Sequence, residues 1–158
     1  EPEVERVFVP FDQVLDSVGR GEVDAGVLIH EGQLTYSREG MTKVVDLGEW
    51  WYQQTELPLP LGGNAIRRSL EPRILHQAAK LLRESIQYAL EHREQALEYA
   101  MQFGRGLDAS TADRFISMYV NDWTLDFGER GRAAVQTLLD RGYEKGLIPT
   151  RVSAEFVD

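Results

Sequence analysis

The sequence predicts an α/β protein in which a parallel-sheet region is followed by helices. Three observations indicate this class. Strand-like and helical patterns alternate at the front of the chain, residues 23–29 are almost continuously apolar, and amphipathic helical patterns dominate after residue 68. Alternating strands and helices are typical of parallel sheets, and an unbroken apolar run is typical of a strand that is buried on both faces.

The first predicted unit is a strand, a helix and a second strand. Residues 4–9 alternate and are rich in β-branched side chains, which favours a strand. Pro10 then begins a short amphipathic helix that Gly19 and Gly21 end. Residues 23–29 follow as the buried strand, so a right-handed βαβ crossover is expected.

Shorter elements are predicted in the middle of the chain. Residues 32–40 are interpreted as a polar loop in which residues 34–36 could form a short strand, residues 43–46 as a strand, and residues 49–55 as one or two helical turns. The prolines that follow hold the backbone extended and lead into a further strand at residues 61–67. These short strands are few for the helices that follow, so part of the sheet is expected to lie outside this chain.

Four helices are predicted in the remainder. Pro72 begins a long helix with one apolar stripe, and a second helix covers about residues 94–103. The last helix is expected to end near Gly146, and Trp123 is expected in the core. Two capping patterns, each a polar residue followed three positions later by an acidic one, predict the starts of the third and fourth helices: Ser110 with Asp113, and Asp126 with Glu129.

Composition and charge exclude several classes of function. A formal charge of −9 over 158 residues disfavours binding to nucleic acids and to anionic membranes. The absence of cysteine excludes disulfides, thiolate nucleophiles and cysteine-ligated metals. The longest apolar runs are far shorter than the ~20 residues of a membrane span. Nucleic acids and membranes are therefore not expected as partners.

His30 is the strongest candidate for chemistry. It follows an apolar run at the carboxyl end of a predicted parallel strand, where open α/β sheets place ligands. Imidazole takes up and returns protons near neutral pH, which suits a general base; the alternative is a histidine satisfied only by backbone carbonyls. Glu31 could orient His30 only if the strand has already ended, because neighbouring strand residues face opposite ways. His76 and His92 fall on the long helix, where polar-face or capping roles are expected.

Other candidates are weaker. Gly62 and Gly63 would let backbone approach a ligand and Asn64 offers a donor and an acceptor, although a simple turn explains them equally well. Asp24 and Asp46 border strands and are interpreted as turn or cap residues. The histidines lack metal-ligand spacing and the carboxylates are scattered, so no metal site is predicted. The tryptophans and tyrosine at residues 50–52 could stack on a planar substrate, although packing is the expected role.

Three strings carry a resemblance to a known family: DAGVLIHE at residues 24–31, DLGEWW at residues 46–51 and LPLPLGGN at residues 57–64. They resemble the 1,4-dihydroxy-6-naphthoate synthases, which serve menaquinone biosynthesis by the futalosine route. The sister enzyme chorismate dehydratase typically has a glycine and an aspartate where His30 and Glu31 stand. The resemblance covers nearly the whole chain.

The resemblance implies a type II periplasmic-binding-protein-like fold with two α/β lobes. Residues 1–58 would be part of the smaller lobe, and residues 59–158 the mostly helical, carboxyl-terminal part of the larger lobe. The amino-terminal segment of the family has no counterpart in this chain, so a missing segment or partner chain is expected. The implied location is cytoplasmic.

The implied activity is that of a lyase. Cyclic dehypoxanthinylfutalosine would be cleaved to 1,4-dihydroxy-6-naphthoate and a small sugar-derived ketone, with no redox cofactor and no metal. His30 matches the family's proton acceptor, and the residues expected to contact substrate are Glu31, Gly62, Gly63 and Asn64. Competing interpretations are a non-catalytic solute-binding protein, a chorismate dehydratase, and an inactive fragment.

Overall fold

The computed structural model describes residues 4–103 and 108–157. The chain forms two compact units that divide between Val45 and Asp46. The α-helices of the described residues are α1 (Val14–Gly19), α2 (Gly32–Thr35), α3 (Leu47–Thr55), α4 (Pro72–Glu91), α5 (Arg93–Met101), α6 (Ala109–Tyr119), α7 (Asp122–Leu125) and α8 (Gly128–Glu144). Two 3-10 helices, Phe11–Gln13 and Tyr36–Glu39, lie in the first unit.

The helix predicted after Pro10 is confirmed. The backbone N–H of Gln13 donates to Pro10 O at 2.9 Å, which begins a 3-10 turn that continues into α1. Gly21 ends the helix at φ +69°, a backbone conformation that glycine adopts without steric cost. Its N–H donates to Val18 O at 3.0 Å, which satisfies one of the carbonyls at the carboxyl end of the helix.

The predicted strands form no β-ladder within residues 4–103 and 108–157. The segments 4–10, 25–29, 41–46 and 58–67 lie outside the helices, and apolar side chains on them are open to solvent. Phe8 is 94% exposed and Val27 is 65% exposed. A strand needs a neighbour to satisfy its backbone groups, so the sheet of the predicted α/β fold stays a prediction.

The strand predicted at residues 34–36 is wrong. These residues belong to α2 and to the 3-10 helix Tyr36–Glu39. The N–H groups of Gln33 and Leu34 donate to the carbonyls of His30 and Glu31 at 3.0 and 2.9 Å. This tight turn begins a helix directly after His30, so local hydrogen bonds override the strand propensity of Thr35 and Tyr36.

In the second unit, α3 begins as its sequence predicts. Asp46 is the N-cap, and its Oδ1 accepts from the N–H groups of Gly48 and Glu49 at 3.0 and 3.1 Å. The helix ends at Glu56, whose φ of +56° is unusual for a residue with a side chain. The prediction that Asp46 is a cap residue is confirmed.

Two arginines of α8 contact the carboxyl end of α3. Arg130 Nη2 donates to Glu56 O at 2.7 Å, and Arg141 Nη2 donates to Gln54 O at 3.3 Å. Cations favour this end of a helix, where carbonyls lack intrahelical partners. The Arg141 guanidinium also lies over the Trp51 ring, 5.1 Å from its centroid.

The long helix and its successor are confirmed with small shifts in their ends. Pro72 occupies the first turn of α4, where a missing N–H costs nothing. The helical structure is interrupted at His92, and α5 begins at the next residue. Compared with the predicted range 94–103, α5 begins one residue earlier and ends two residues earlier. α5 is tied to α6 by Arg93, whose Nε donates to Asp113 Oδ1 at 2.8 Å.

The first capping pattern is wrong, and the second is confirmed in part, because Asp126 Oδ1 accepts from the Gly128 N–H at 2.8 Å. Asp108, not Ser110, is the N-cap of α6, and its Oδ1 accepts from the Thr111 N–H at 3.0 Å. α8 begins after Asp126 as expected, but its N-cap is Phe127, which makes no side-chain cap hydrogen bond. A capping box that was not predicted joins Asn121 and Thr124 at the start of α7. Spacing alone does not say which of several adjacent polar residues turns the backbone.

The buried apolar side chains of the described residues are few: Trp51, Ala112 and Ala134. Trp123, expected in the core, is 44% exposed, so that prediction is wrong. Gly146, with φ +69°, ends the turn after α8 as predicted. The predicted lobe boundary at residues 58 and 59 concerns the intact two-lobed fold and stays a prediction. Among the helices of the described ranges, none has the length and apolarity needed to cross a membrane.

Candidate functional site

His30 lies directly before the start of α2. Residues 25–29 lie outside the helices, and Glu31 has helical backbone angles of φ −55° and ψ −20°. Glu31 is therefore not part of a strand, which is the condition under which its side chain can reach the His30 ring. The two side chains do come together, with Glu31 Oε2 3.8 Å from His30 Nδ1.

The His30 ring is enclosed by its own unit. Its side chain is 11% exposed, and the Phe11 ring packs against it at 5.6 Å between centroids. Nδ1 accepts a hydrogen bond from the Gly32 N–H at 2.9 Å. Nε2 is buried and has no hydrogen-bond partner among the described residues. Buried polar atoms are normally paired, so the lack of a partner at this nitrogen is unusual.

The Gly32 contact decides the tautomer of the neutral ring. A backbone N–H can only donate, so Nδ1 must present its lone pair and carry no proton. The single proton of the neutral imidazole therefore lies on Nε2. In this arrangement the unpartnered nitrogen is a hydrogen-bond donor rather than a proton acceptor.

Gly32 has no room for a side chain. A Cβ at this position would lie 2.6 Å from His30 Cε1 and 3.0 Å from Leu15 Cδ1. The ring could not keep its position beside any larger residue. Sequence reasoning did not identify Gly32 as a site residue, although a glycine directly after His30 and Glu31 was the available signal.

The other two histidines have the roles that their positions predict. His76 Nδ1 contacts Pro72 O at 2.6 Å, and His92 Nδ1 contacts Tyr88 O at 2.9 Å. Both contacts join residues four apart on the helix that carries them. The His92 ring also stacks on Tyr88, with centroids 3.9 Å apart.

The glycine-rich candidates belong to the second unit. Gly62, Gly63 and Asn64 lie in an exposed segment outside the helices, and a Cβ at either glycine would meet nothing within 4 Å. A larger side chain would therefore fit at both glycine positions without a clash. The predicted role of these residues in contacting substrate stays a prediction.

The aromatic group divides into one packing residue and two exposed ones. Trp51 is buried, and its Nε1 donates to Pro58 O at 3.1 Å. Trp50 and Tyr52 are about half exposed. Within residues 4–103 and 108–157, no three histidine, aspartate or glutamate side chains converge in a way that could hold a metal ion.

The chain is similar to known proteins. Two curated relatives are named 1,4-dihydroxy-6-naphthoate synthase. The one from Streptomyces coelicolor is 41% identical over 145 residues, which are 92% of this chain and 51% of the relative. The one from Thermus thermophilus is 41% identical over 141 residues, which are 89% of this chain and 52% of the relative. The chain thus spans about half the length of these relatives.

A crystal structure of an Archaeoglobus fulgidus protein is also similar. Its TM-score is 0.84 at 48% sequence identity, and the match covers 89% of this chain and 53% of that protein. Residues 1–144 match the family described as menaquinone biosynthesis. The match covers most of the chain, and the chain therefore belongs to the menaquinone biosynthesis family.

Proposed function

We propose that this chain is part of a lyase that converts cyclic dehypoxanthinylfutalosine to 1,4-dihydroxy-6-naphthoate. One observation carries the proposal: the buried His30 ring keeps a nitrogen without a partner, in a chain whose curated relatives are named for this product. The cytoplasmic location implied by the family resemblance is part of the proposal, and cell fractionation would check it.

His30 is proposed as the general base of this reaction. Removal of a proton from the cyclised sugar portion of the substrate would start the rearrangement of its bonds. Aromatisation of the second ring would then make the cleavage effectively irreversible. Proton transfer by a positioned histidine contributes about 10²–10⁴-fold to a rate, so this step alone would make His30 indispensable for useful turnover.

The proposed fold is the carboxyl-terminal portion of a type II periplasmic-binding-protein-like protein with two lobes. Two observations support it. Segments outside the helices carry exposed apolar residues and form no ladder among the described residues, and the curated relatives are about twice as long as the matched region. Residues outside this chain, in an amino-terminal segment or a partner chain, would then complete the sheet and the substrate site.

The test is an activity assay with two preparations. One is this chain alone, and the other is this chain mixed with the amino-terminal half of the Thermus thermophilus relative. Each is incubated with cyclic dehypoxanthinylfutalosine, and the absorbance of the naphthoate product is followed. His30→Gln should abolish turnover, whereas His76→Gln, a matched change on the exposed face of α4, should leave it intact.

The outcomes separate the competing functions. Product formation that depends on His30 supports the lyase. Tight binding of the substrate without product in both preparations would instead indicate a solute-binding protein. Consumption of chorismate, supplied in a parallel reaction, would indicate the sister dehydratase. Full turnover by His30→Gln would remove the general-base assignment.

A further inference from the structure

The unliganded geometry presents a difficulty for a base at His30. A general base needs an available lone pair, but the Nδ1 lone pair is engaged by the Gly32 N–H at 2.9 Å. Nε2, the nitrogen without a partner, carries the proton of the neutral ring. The base role proposed above, on which this inference rests, therefore requires the proton to change nitrogen.

Glu31 offers the partner that such a change requires. Its Oε2 lies 3.8 Å from His30 Nδ1, which is about 1 Å longer than a charge-assisted hydrogen bond. A small rotation of either side chain would close this gap. If Nδ1 carries the proton and donates it to the carboxylate, the lone pair is left on Nε2. A carboxylate in this position also stabilises the imidazolium that forms when the ring accepts a proton.

We propose that Glu31 is the positioning residue that makes His30 a base, and that the Gly32 N–H and the Glu31 carboxylate compete for Nδ1. With Gly32 as the partner, the ring is a donor at Nε2. With Glu31 as the partner, it is an acceptor at Nε2. The switch conserves protons, because Nδ1 gains one and Nε2 loses one, each exchanged with water that reaches the ring while it rotates between the two positions. The substrate proton then moves to Nε2, giving an imidazolium held by Glu31.

The residues around the His30 ring favour two discrete ring positions, one with Gly32 and one with Glu31 as the partner of Nδ1. Phe11 packs against the ring, and Gly32 leaves space for Cε1 that a Cβ would fill. The ring can therefore exchange one Nδ1 partner for the other without leaving its pocket. Gly32→Ala would push the ring away from the first position and remove the competition.

The first test uses nitrogen NMR on this chain without ligand, with histidine labelled at both ring nitrogens. At a pH where the His30 ring is neutral, the proton is expected on Nε2, seen as a one-bond N–H coupling there. In Gly32→Ala this preference should be lost. A proton on Nδ1 in the unaltered chain would overturn the Gly32 part of the proposal, whatever the activity of the protein.

The second test uses the preparation that turns over cyclic dehypoxanthinylfutalosine. Glu31→Gln keeps an oxygen near Nδ1 but removes the negative charge. It is expected to lower kcat by about 10²-fold, within the range of general acid–base effects, while KM stays close to its original value. Glu39→Gln removes a charge from an exposed glutamate of the same unit and should leave kcat unchanged.

The outcomes distinguish this inference from the proposed function. If His30→Gln abolishes turnover and Glu31→Gln does not lower kcat, the Glu31 role fails and the lyase proposal stands. If Glu31→Gln raises KM with kcat intact, Glu31 contacts substrate rather than His30, which also overturns the inference. If His30→Gln retains full turnover, the base assignment itself fails.

Discussion

The two units of the chain hold their structure in different ways. In the first, short-range contacts between backbone and side chain decide the geometry, as in the Gly32 N–H bond to His30 two residues earlier. In the second, contacts join residues far apart in sequence, as between Arg93 and Asp113 or Arg130 and Glu56. The candidate catalytic group thus lies in the unit whose geometry depends on glycine backbone and tight turns.

The largest effect is expected at Trp51 in the second unit. Its ring is 4% exposed, donates to Pro58 O and lies beneath the Arg141 guanidinium. Trp51→Ala should lower the free energy of unfolding by about 3–5 kcal/mol, measured by urea denaturation. Trp50→Ala, at a half-exposed neighbour on the same helix, is the control. Equal losses for the two variants would show that distant contacts do not dominate this unit.

A smaller effect is expected from overfilling α8. Ala134 is 1% exposed and the adjacent Ala133 is exposed, so the two residues form a matched pair on one helix. Ala134→Leu should cost about 1–3 kcal/mol because a packed site has no space for three more carbons. Ala133→Leu should change the unfolding midpoint little. An unfolding midpoint of Ala134→Leu equal to that of the unaltered chain would mean that the residues around Ala134 can move to accommodate a larger side chain.

In the first unit, Gly26→Ala tests the dependence on backbone. A Cβ at Gly26 would overlap Val14 Cγ1 and press on Val18, so we expect a loss of about 1 kcal/mol or more. Gly19→Ala is the matched control, since its Cβ would meet only the flexible end of Met41 at 3.3 Å. Thermal unfolding followed by circular dichroism would compare them. A larger loss for Gly19→Ala would contradict this interpretation of the unit.

The smallest effect concerns acid stability in the second unit. Hydrogen bonds from the Ser110 hydroxyl, the Thr111 hydroxyl and the Thr111 N–H hold the pKa of Asp108 well below its usual value. Because the folded-state pKa is lowered, this contribution is complete above the ordinary aspartate pKa of 3.8 and is lost as the pH falls below it. Asp108→Asn should therefore flatten the dependence of unfolding free energy on pH in this acidic range.

The control for this prediction is Glu94→Gln, which removes one negative charge from the exposed face of α5. Urea midpoints measured at several acidic pH values would compare the two variants with the unaltered chain. An unchanged slope in Asp108→Asn would show that the cap hydrogen bonds do not depend on the ionised carboxylate.

Sequence reasoning succeeded where the signal was local. The proline start of α4, the Asp46 cap and the stops at Gly21 and Gly146 each depend on neighbouring residues only. It placed His30 at the carboxyl end of a buried parallel strand, and that position stays a prediction because the described residues form no strand there. It could not foresee the Gly32 bond to Nδ1, because that bond depends on how the backbone turns at Glu31.

Failures occurred where another interaction competed with propensity. Thr35 and Tyr36 favour strands, but the turn after His30 directs them into helical structure. Trp123 has the size and polarity of a core residue, yet it lies exposed on the four-residue helix α7. The predicted sheet stays a prediction, because backbone pairing depends on neighbouring strands that the described residues do not supply.

The contacts between α8 and the end of α3 have a consequence for the order of folding. Glu56 and Arg130 are 74 residues apart, and Gln54 and Arg141 are 87 residues apart. Closing loops of this length costs chain entropy before any contact compensates for it. During synthesis the carboxyl end of α3 would have to wait for α8 to leave the ribosome, so this junction is expected to form among the last in the second unit.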